Sequence, residues 1–487
     1  MATSASGKSP RRTMIHSAIG IAIMLVICLL PVRPPHVTEV GMKVLGIFAG
    51  TLYLWTTVSP LWSSLFSVAM LGIIGYDTMP NVLMQCFGNS VVVQMFFIMV
   101  FIAALTHYGI TEYIGRFFLT RKFTNGRPWA FSFVILFGAF IMSVFVNCFA
   151  PIFLFWPVMY DVFKEVGFKK GAVYPKLMVI LVVIAALLGF PVAPYMQNSL
   201  ALLSNYRKMA GAGVSINDGA FFAFCFITSL LILVAVVLFT KFVLRPDVTP
   251  LKKLRVEDLQ KKPLPPMNRS QLVLFWAFGI YIISMLLPTL FPQVPVMKHL
   301  SSSSIGFALL FVALLCGILI DGRPVIEFSR VMEKDFAWVT FFLCATAILL
   351  GNVLTNKSTG IAAFLNAVLS PLFQGMGTLT FTVVLLLTSL VLTNFCNHLV
   401  VGMILEPVIL TYCAVSGANA APLVTILIFF ILLSAPITPA GSPFSAMMFS
   451  NTEWLQPKDI FKYVSSYMVV ITALVLLVGI PLVNVLL

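Results

Sequence analysis

Charge is what this chain has least of. Only 9% of its 487 residues are Asp, Glu, Lys or Arg, while 60% are hydrophobic and the mean hydropathy is +1.04. A water-soluble chain of that length needs far more charge to cover its surface. Histidine is scarce as well, with five in all. There is no His-Glu-x-x-His run, no pair of aspartates at helix centres and no Ser–His constellation, so an intramembrane enzyme has nothing to work with. The eight cysteines include no Cys-x-x-Cys pair. Cys28, Cys316 and Cys344 lie inside apolar runs and read as lipid-buried free thiols rather than disulfides or metal ligands. The net charge of +14 does not signal nucleic acid, because the basic residues form no stripe and no aromatics interleave with them.

What is present is a series of apolar runs of about 18–25 residues, enough to cross roughly 30 Å of hydrocarbon as helix. Without water the backbone must bond to itself, so the spans are helices. They are expected at 14–31, 42–58, 61–78, 90–108, 174–205 (broken), 219–244, 270–291, 302–320, 336–353, 421–449 (broken) and 461–487. Amphipathic pieces are expected at Ile110–Lys122 and Ser358–Phe373. Lys8, Arg11 and Arg12 precede the run Met14–Pro31, which has no small-residue cleavage site and reads as a retained first span.

Two more apolar regions, 128–160 and 377–413, do not read as single spans. Suppose each enters and leaves on one side, and the N-terminus is cytoplasmic. Then only Arg33, Lys43, Arg207, Lys208, Lys298 and Lys357 of the 30 Lys and Arg fall outside, as the positive-inside rule requires. The chain then divides into a cytoplasmic N-terminus with a leading helix (1–41) and a first half (42–244) holding the hairpin 128–160. A Lys- and Pro-rich cytoplasmic linker (245–269) leads to a second half (270–487) holding the hairpin 377–413.

The two halves repeat each other. Ser143-Val-Phe-Val-Asn147 is followed ten residues after the Asn by Pro157, and Thr393-Asn-Phe-Cys-Asn397 is followed ten after by Pro407. A helix broken by Pro-x-x-Pro comes next in each half, Pro191-Val-Ala-Pro194 and Pro436-Ile-Thr-Pro439. A Gly-Ile pair precedes each hairpin, at Gly109 and Gly360. Every landmark lies about 250 residues after its counterpart. The first hairpin opens from the inside and the second from the outside, so the repeats are inverted. The expected fold is an all-α polytopic membrane protein of about eleven transmembrane helices plus two re-entrant hairpins in two inverted repeats. Hairpin arms of roughly a dozen residues would reach about 18 Å, close to the bilayer midplane.

Helix ends supply the chemistry. A hairpin tip starts a helix whose first N–H groups are unpaired and carry partial positive charge, and that suits an anion. Freed carbonyls at the breaks suit Na⁺. Asn147, Cys148, Asn397, His398, Thr438, Pro194, Pro439 and Asn198 are the expected substrate-binding residues. Ser143, Asn147, Thr393, Asn397 and Ser442 are those expected for ion coupling, with Na⁺ held in the Asn147 and Asn397 regions. Gln197 adds a further amide. His398 is placed either to bind a carboxylate or to carry a proton, or else to act as a neutral hydrogen-bonding histidine. Glu406 lies one residue before Pro407, faces away from the tip, and reads as structural; Asp161 stands near the mouth of the first hairpin.

At these hairpins and breaks the chain resembles the divalent anion:sodium symporter family, within the wider ion transporter superfamily, over nearly its whole length. That family carries Ser-Asn-Thr at each tip, where this chain has Asn147-Cys148 and Asn397-His398, so only the Asn carries over. The resemblance implies Na⁺-coupled transport of a di- or tricarboxylate, an elevator motion, a homodimer and a plasma (inner) membrane location. Beyond a small anionic substrate, lipid and a coupling ion, no cofactor or nucleic-acid partner is expected. The alternative within the superfamily is a cation/proton antiporter or oxyanion exporter. It ranks lower because neither tip offers the Asp or Glu such an antiporter needs.

Overall fold

The computed structural model of the chain describes residues 10–31, 33–119, 126–146, 148–210, 216–253, 265–290, 304–361, 363–364, 367–368, 371, 375–394, 398–438, 442–451 and 453–487. The first half begins with α1 (Pro10–Leu29), α2 (Glu39–Thr57), α3 (Pro60–Ile73), α4 (Met79–Phe87), α5 (Ser90–His107) and α6 (Ile110–Leu119). The first hairpin is α7 (Pro128–Phe145) and α8 (Ala150–Glu165). The first broken helix is α9 (Val173–Gly189) and α10 (Gln197–Ala210), and α11 (Asp218–Phe239) ends this half.

The second half opens with α12 (Arg269–Leu290) and α13 (Ser304–Gly317), then a two-stranded antiparallel ribbon, β1 (Leu319–Ile320) and β2 (Arg323–Pro324). Next come α14 (Phe328–Lys334) and α15 (Trp338–Thr355). The second hairpin is α16 (Thr378–Thr393) and α17 (His398–Ser416); the second broken helix is α18 (Ala420–Leu433) and α19 (Pro443–Ser450). The chain closes with α20 (Pro457–Leu474) and α21 (Ile480–Leu486).

This is an all-α polytopic membrane protein. Among the described residues five helices are long and apolar enough to cross a bilayer, or seven if two bent pairs each count as one. Five further apolar helices, including α9, α16 and α18, are 10–17 residues long. Asn147 and Asn397 lie outside the described residues, and the helices on either side of them hold 18, 16, 16 and 19 residues rather than a dozen. In both second arms the helix continues past its proline, Pro157 in α8 and Pro407 in α17. At 1.5 Å per residue such arms measure about 24–28 Å, well beyond the expected 18 Å.

Two local features escaped the sequence reading. Asp77 gathers donors from Thr78 N (2.7 Å), Asn81 (3.0 Å) and Gln85 (2.9 Å), and this starts the unexpected α4. The expected 302–320 helix stops at Gly317 because Asp321 and Gly322, both at positive φ, turn the chain into the ribbon.

By contact the chain forms two compact units. The first is Met1–Met99, Tyr195–Ile216 and Phe336–Ile431; the second is Val100–Pro194, Asn217–Asp335 and Leu432–Leu487. Each unit holds one hairpin together with the trailing half of the helix broken in the other repeat. In the first unit α1 lies close on α2 because Gly20, Gly46 and Gly50 leave room at the crossing. In the second unit the buried α9 is the axis. Ser143 on α7 donates to Ala186 O at 2.5 Å, Trp156 on α8 to Val179 O at 3.0 Å, and Ser229 on α11 to Leu188 O at 2.7 Å.

Within the first unit, Gly402 sits against Leu202 and Ile431 so closely that a Cβ would collide with the Leu202 side chain. Gly402→Val is therefore expected to destabilise the protein by about 1–3 kcal/mol through overpacking. Thermal unfolding in detergent measures it, and adding Leu202→Ala should recover part of the loss. Equal melting of wild type and Gly402→Val would refute the close packing.

Candidate functional site

Three helices of the first unit, α10, α15 and α17, pack against one another along polar faces. In the upper layer the Asn198 amide nitrogen lies 2.8 Å from His398 Nε2, and the Cys344 thiol donates to Asn198 Oδ1 at 3.4 Å. All three side chains are buried. In the lower layer Asn205 Nδ2 donates to Glu406 Oε2 at 2.7 Å, and Gly351 faces the Asn205 amide so closely that a Cβ there would collide with it. Leu202 over Gly402 separates the layers. Residues 198, 202 and 205 recur at helical spacing, as do 398, 402 and 406, and 344 and 351. Because the numbers rise together, the three helices run in the same direction.

The upper layer lies at two helix starts. Asn198 is the second residue of α10 and His398 the first of α17, so both helices start beside this buried pair. Two positive dipole ends with a neutral amide and an imidazole between them form a receiver for a carboxylate. With Asn198 Nδ2 donating, His398 Nε2 accepts and the ring proton sits on Nδ1.

The corresponding positions of the second unit are differently furnished. Cys148 is buried beside the start of α8, and the neighbouring Phe149 ring packs on Phe444 with centroids 4.5 Å apart. Ser442 caps α19, accepting from Ser445 N at 3.1 Å and donating to Ala435 O at 3.0 Å, while Ser445 donates to Pro436 O at 2.9 Å. Where Glu406 precedes Pro407, the first repeat has Trp156 before Pro157, with its indole N–H bonded to Val179 O.

Of the expected site residues, Asn147, Asn397 and Pro439 lie outside the described residues. Asn198 and His398 are brought into direct contact. Cys148, Pro194, Thr438 and Ser442 belong to the second unit, with Pro194 buried and Thr438 half-buried. Ser143 bonds to α9, and the Thr393 hydroxyl donates to Ser389 O one turn back at 2.8 Å. Asp161 is exposed. Sequence reasoning missed Asn205 and Cys344 and set Glu406 aside. The spacing of seven between Asn198 and Asn205, two turns of one helix face, was the available signal. All seven described cysteines are free, as expected.

The model of a family described as citrate transporters matches residues 17–404. The chain belongs to the citrate transporter family. This is a transporter family of the ion transporter superfamily, the wider group expected from the hairpins and breaks. The match includes Asn198 and His398 and stops before Glu406. Among solved structures, the YdaH transporter of Alcanivorax borkumensis is similar at 14% identity and TM-score 0.55, covering 98% of this chain and 98% of its own. MtrF of Neisseria gonorrhoeae, placed in a class of antimetabolite efflux pumps, is similar at 10% identity and TM-score 0.56, covering 97% and 94%. At such identities the likeness is one of fold. No curated protein matches the chain.

Proposed function

We propose that this member of the citrate transporter family is a secondary active carrier of citrate or a similar di- or tricarboxylate. The observation that carries the reading is the contact of Asn198 with His398 at two helix starts. A substrate carboxylate is drawn to the positive dipole ends of α10 and α17, and the Asn198 amide and His398 imidazole orient it. The site is neutral, so it discriminates by hydrogen-bond geometry rather than by a fixed positive charge. Na⁺ coupling through the two tip asparagines, an elevator motion, a homodimer and a plasma-membrane location with a cytoplasmic N-terminus follow from the resemblance to the divalent anion:sodium symporters and complete the reading.

Uptake of labelled citrate, succinate and sulfate into proteoliposomes tests it, under an inward Na⁺ gradient, an inward proton gradient, or neither. Citrate or succinate should accumulate under a gradient, and Asn198→Ala should cut the rate about ten- to hundredfold, the value of one buried hydrogen bond to a charged group. Asn147→Ala and Asn397→Ala should weaken the Na⁺ dependence. If no anion enters under any gradient but preloaded citrate leaves, the exporter alternative takes its place.

A further inference from the structure

We infer that Glu406, with Asn205 as its hydrogen-bond partner, is a proton-binding site of this carrier, distinct from the His398 layer above it. The carboxyl group is fully buried in α17, a helix long and apolar enough to cross the bilayer. Its Oε2 accepts from Asn205, while Oε1 has no partner, and the Asn205 Oδ1 is equally without one. Among the described residues no cation forms an ion pair with it. An ionised carboxylate in such surroundings loses its hydration and gains one hydrogen bond in return. Adding one proton removes the charge and turns an orphaned acceptor into a donor. The step is simple acid–base chemistry: the carboxylate takes up H⁺ and becomes a neutral acid.

The groups that face Glu406 leave this assignment standing. On α10 they are Asn205, the buried Tyr206 hydroxyl, and Arg207 and Lys208 beyond it; the Arg207 guanidinium donates to Ile216 O at 3.1 Å. On α15 the only titratable group is Cys344, already bonded to Asn198. Neither α16 nor α18 contains any titratable group. On α17 itself the others are His398, two turns away, and Tyr412 and Cys413. The Tyr412 hydroxyl donates to Met376 O at 3.0 Å. Glu406 is therefore the one carboxyl group on these five helices.

Its placement makes the proton available for coupling. Glu406 lies about 12 Å below His398 along α17, and Asn205 about 10 Å below Asn198 along α10. A bound anion about 12 Å away through apolar surroundings disfavours the ionised carboxylate and so favours its protonated form. Binding of the anion above and of the proton below are then linked, each favouring the other. The inference rests on the carrier reading given above, and the test separates the two.

Infrared difference spectra of the purified protein, acid minus alkaline, should contain a protonated-carboxyl C=O band that Glu406→Gln removes. Calorimetric titration with citrate, in two buffers of different ionisation heat, should show uptake of up to one proton per citrate in wild type. Glu406→Gln should show none. If the Gln variant does not fold, Glu406→Asp should move the midpoints of the band and of the proton linkage in step. A wild-type band set that is the same in Glu406→Gln, or proton linkage unchanged by either substitution, would overturn the inference. Absence of any citrate heat would count against the carrier reading, and the infrared band would still decide whether Glu406 binds a proton.

Discussion

Replacing His398 with leucine is expected to lower the apparent affinity for the transported carboxylate by about one to two orders of magnitude. Two losses combine. The substrate forfeits the imidazole, worth about 1.5–3 kcal/mol when a hydrogen bond reaches a charged group. The Asn198 amide, buried and bonded to the ring at 2.8 Å, is left with an N–H that leucine cannot accept. His398→Gln restores an acceptor to Asn198 and should recover much of the loss, because what matters is the orientation of the amide between two helix starts. The measurement is concentration-dependent uptake into proteoliposomes, read as KM against maximal rate. Melting of each variant in detergent shows whether folding accounts for the change. Equal KM values for wild type and His398→Leu would remove this layer from the substrate path.

The second large effect concerns the lower layer. Asn205→Leu takes from Glu406 its only hydrogen bond and leaves a fully buried carboxyl group with none. An expected destabilisation of about 1–3 kcal/mol follows, the range for leaving a buried polar group unsatisfied. Substituting both residues, Asn205→Leu with Glu406→Leu, should return most of that stability, since an apolar pair leaves nothing unsatisfied. Thermal unfolding of the two single variants and the double variant closes the cycle. Simple additivity of the two losses would mean that the pair is not coupled. A related but smaller effect should come from Gly351→Ala, whose added methyl meets the Asn205 amide and pushes it off its partner.

Much of this arrangement is legible in the sequence. Apolar run lengths fixed most of the helices, and the paired Asn and Pro-x-x-Pro landmarks located the hairpins and the breaks. Asn198 and His398 were each named as binding residues from those landmarks. Their contact was not legible, because it joins the start of a half-helix in one repeat to a hairpin tip in the other, 200 residues away. No local pattern reports such a pairing. Glu406, one residue before Pro407 and facing away from the tip, reads from the sequence as structural. Its partner was not legible either, because Asn205 lies 201 residues away on α10. The short α4 was missed because nine residues give too little periodicity, although Asp77, Asn81 and Gln85 at steps of four record its start.

The repeats differ at the residue before the hairpin proline, Trp156 in one and Glu406 in the other. The indole of Trp156 donates to a carbonyl at 3.0 Å and does not titrate, so the first repeat has no acid at this position. The duplicated architecture is thus stoichiometrically lopsided, with one acid per molecule at a position that occurs twice. A steady-state consequence follows for the loaded vesicle. One proton coupled per substrate, as inferred for Glu406, would scale the inside-to-outside substrate ratio by about tenfold for each pH unit across the membrane, where a matched pair of acids would give a hundredfold.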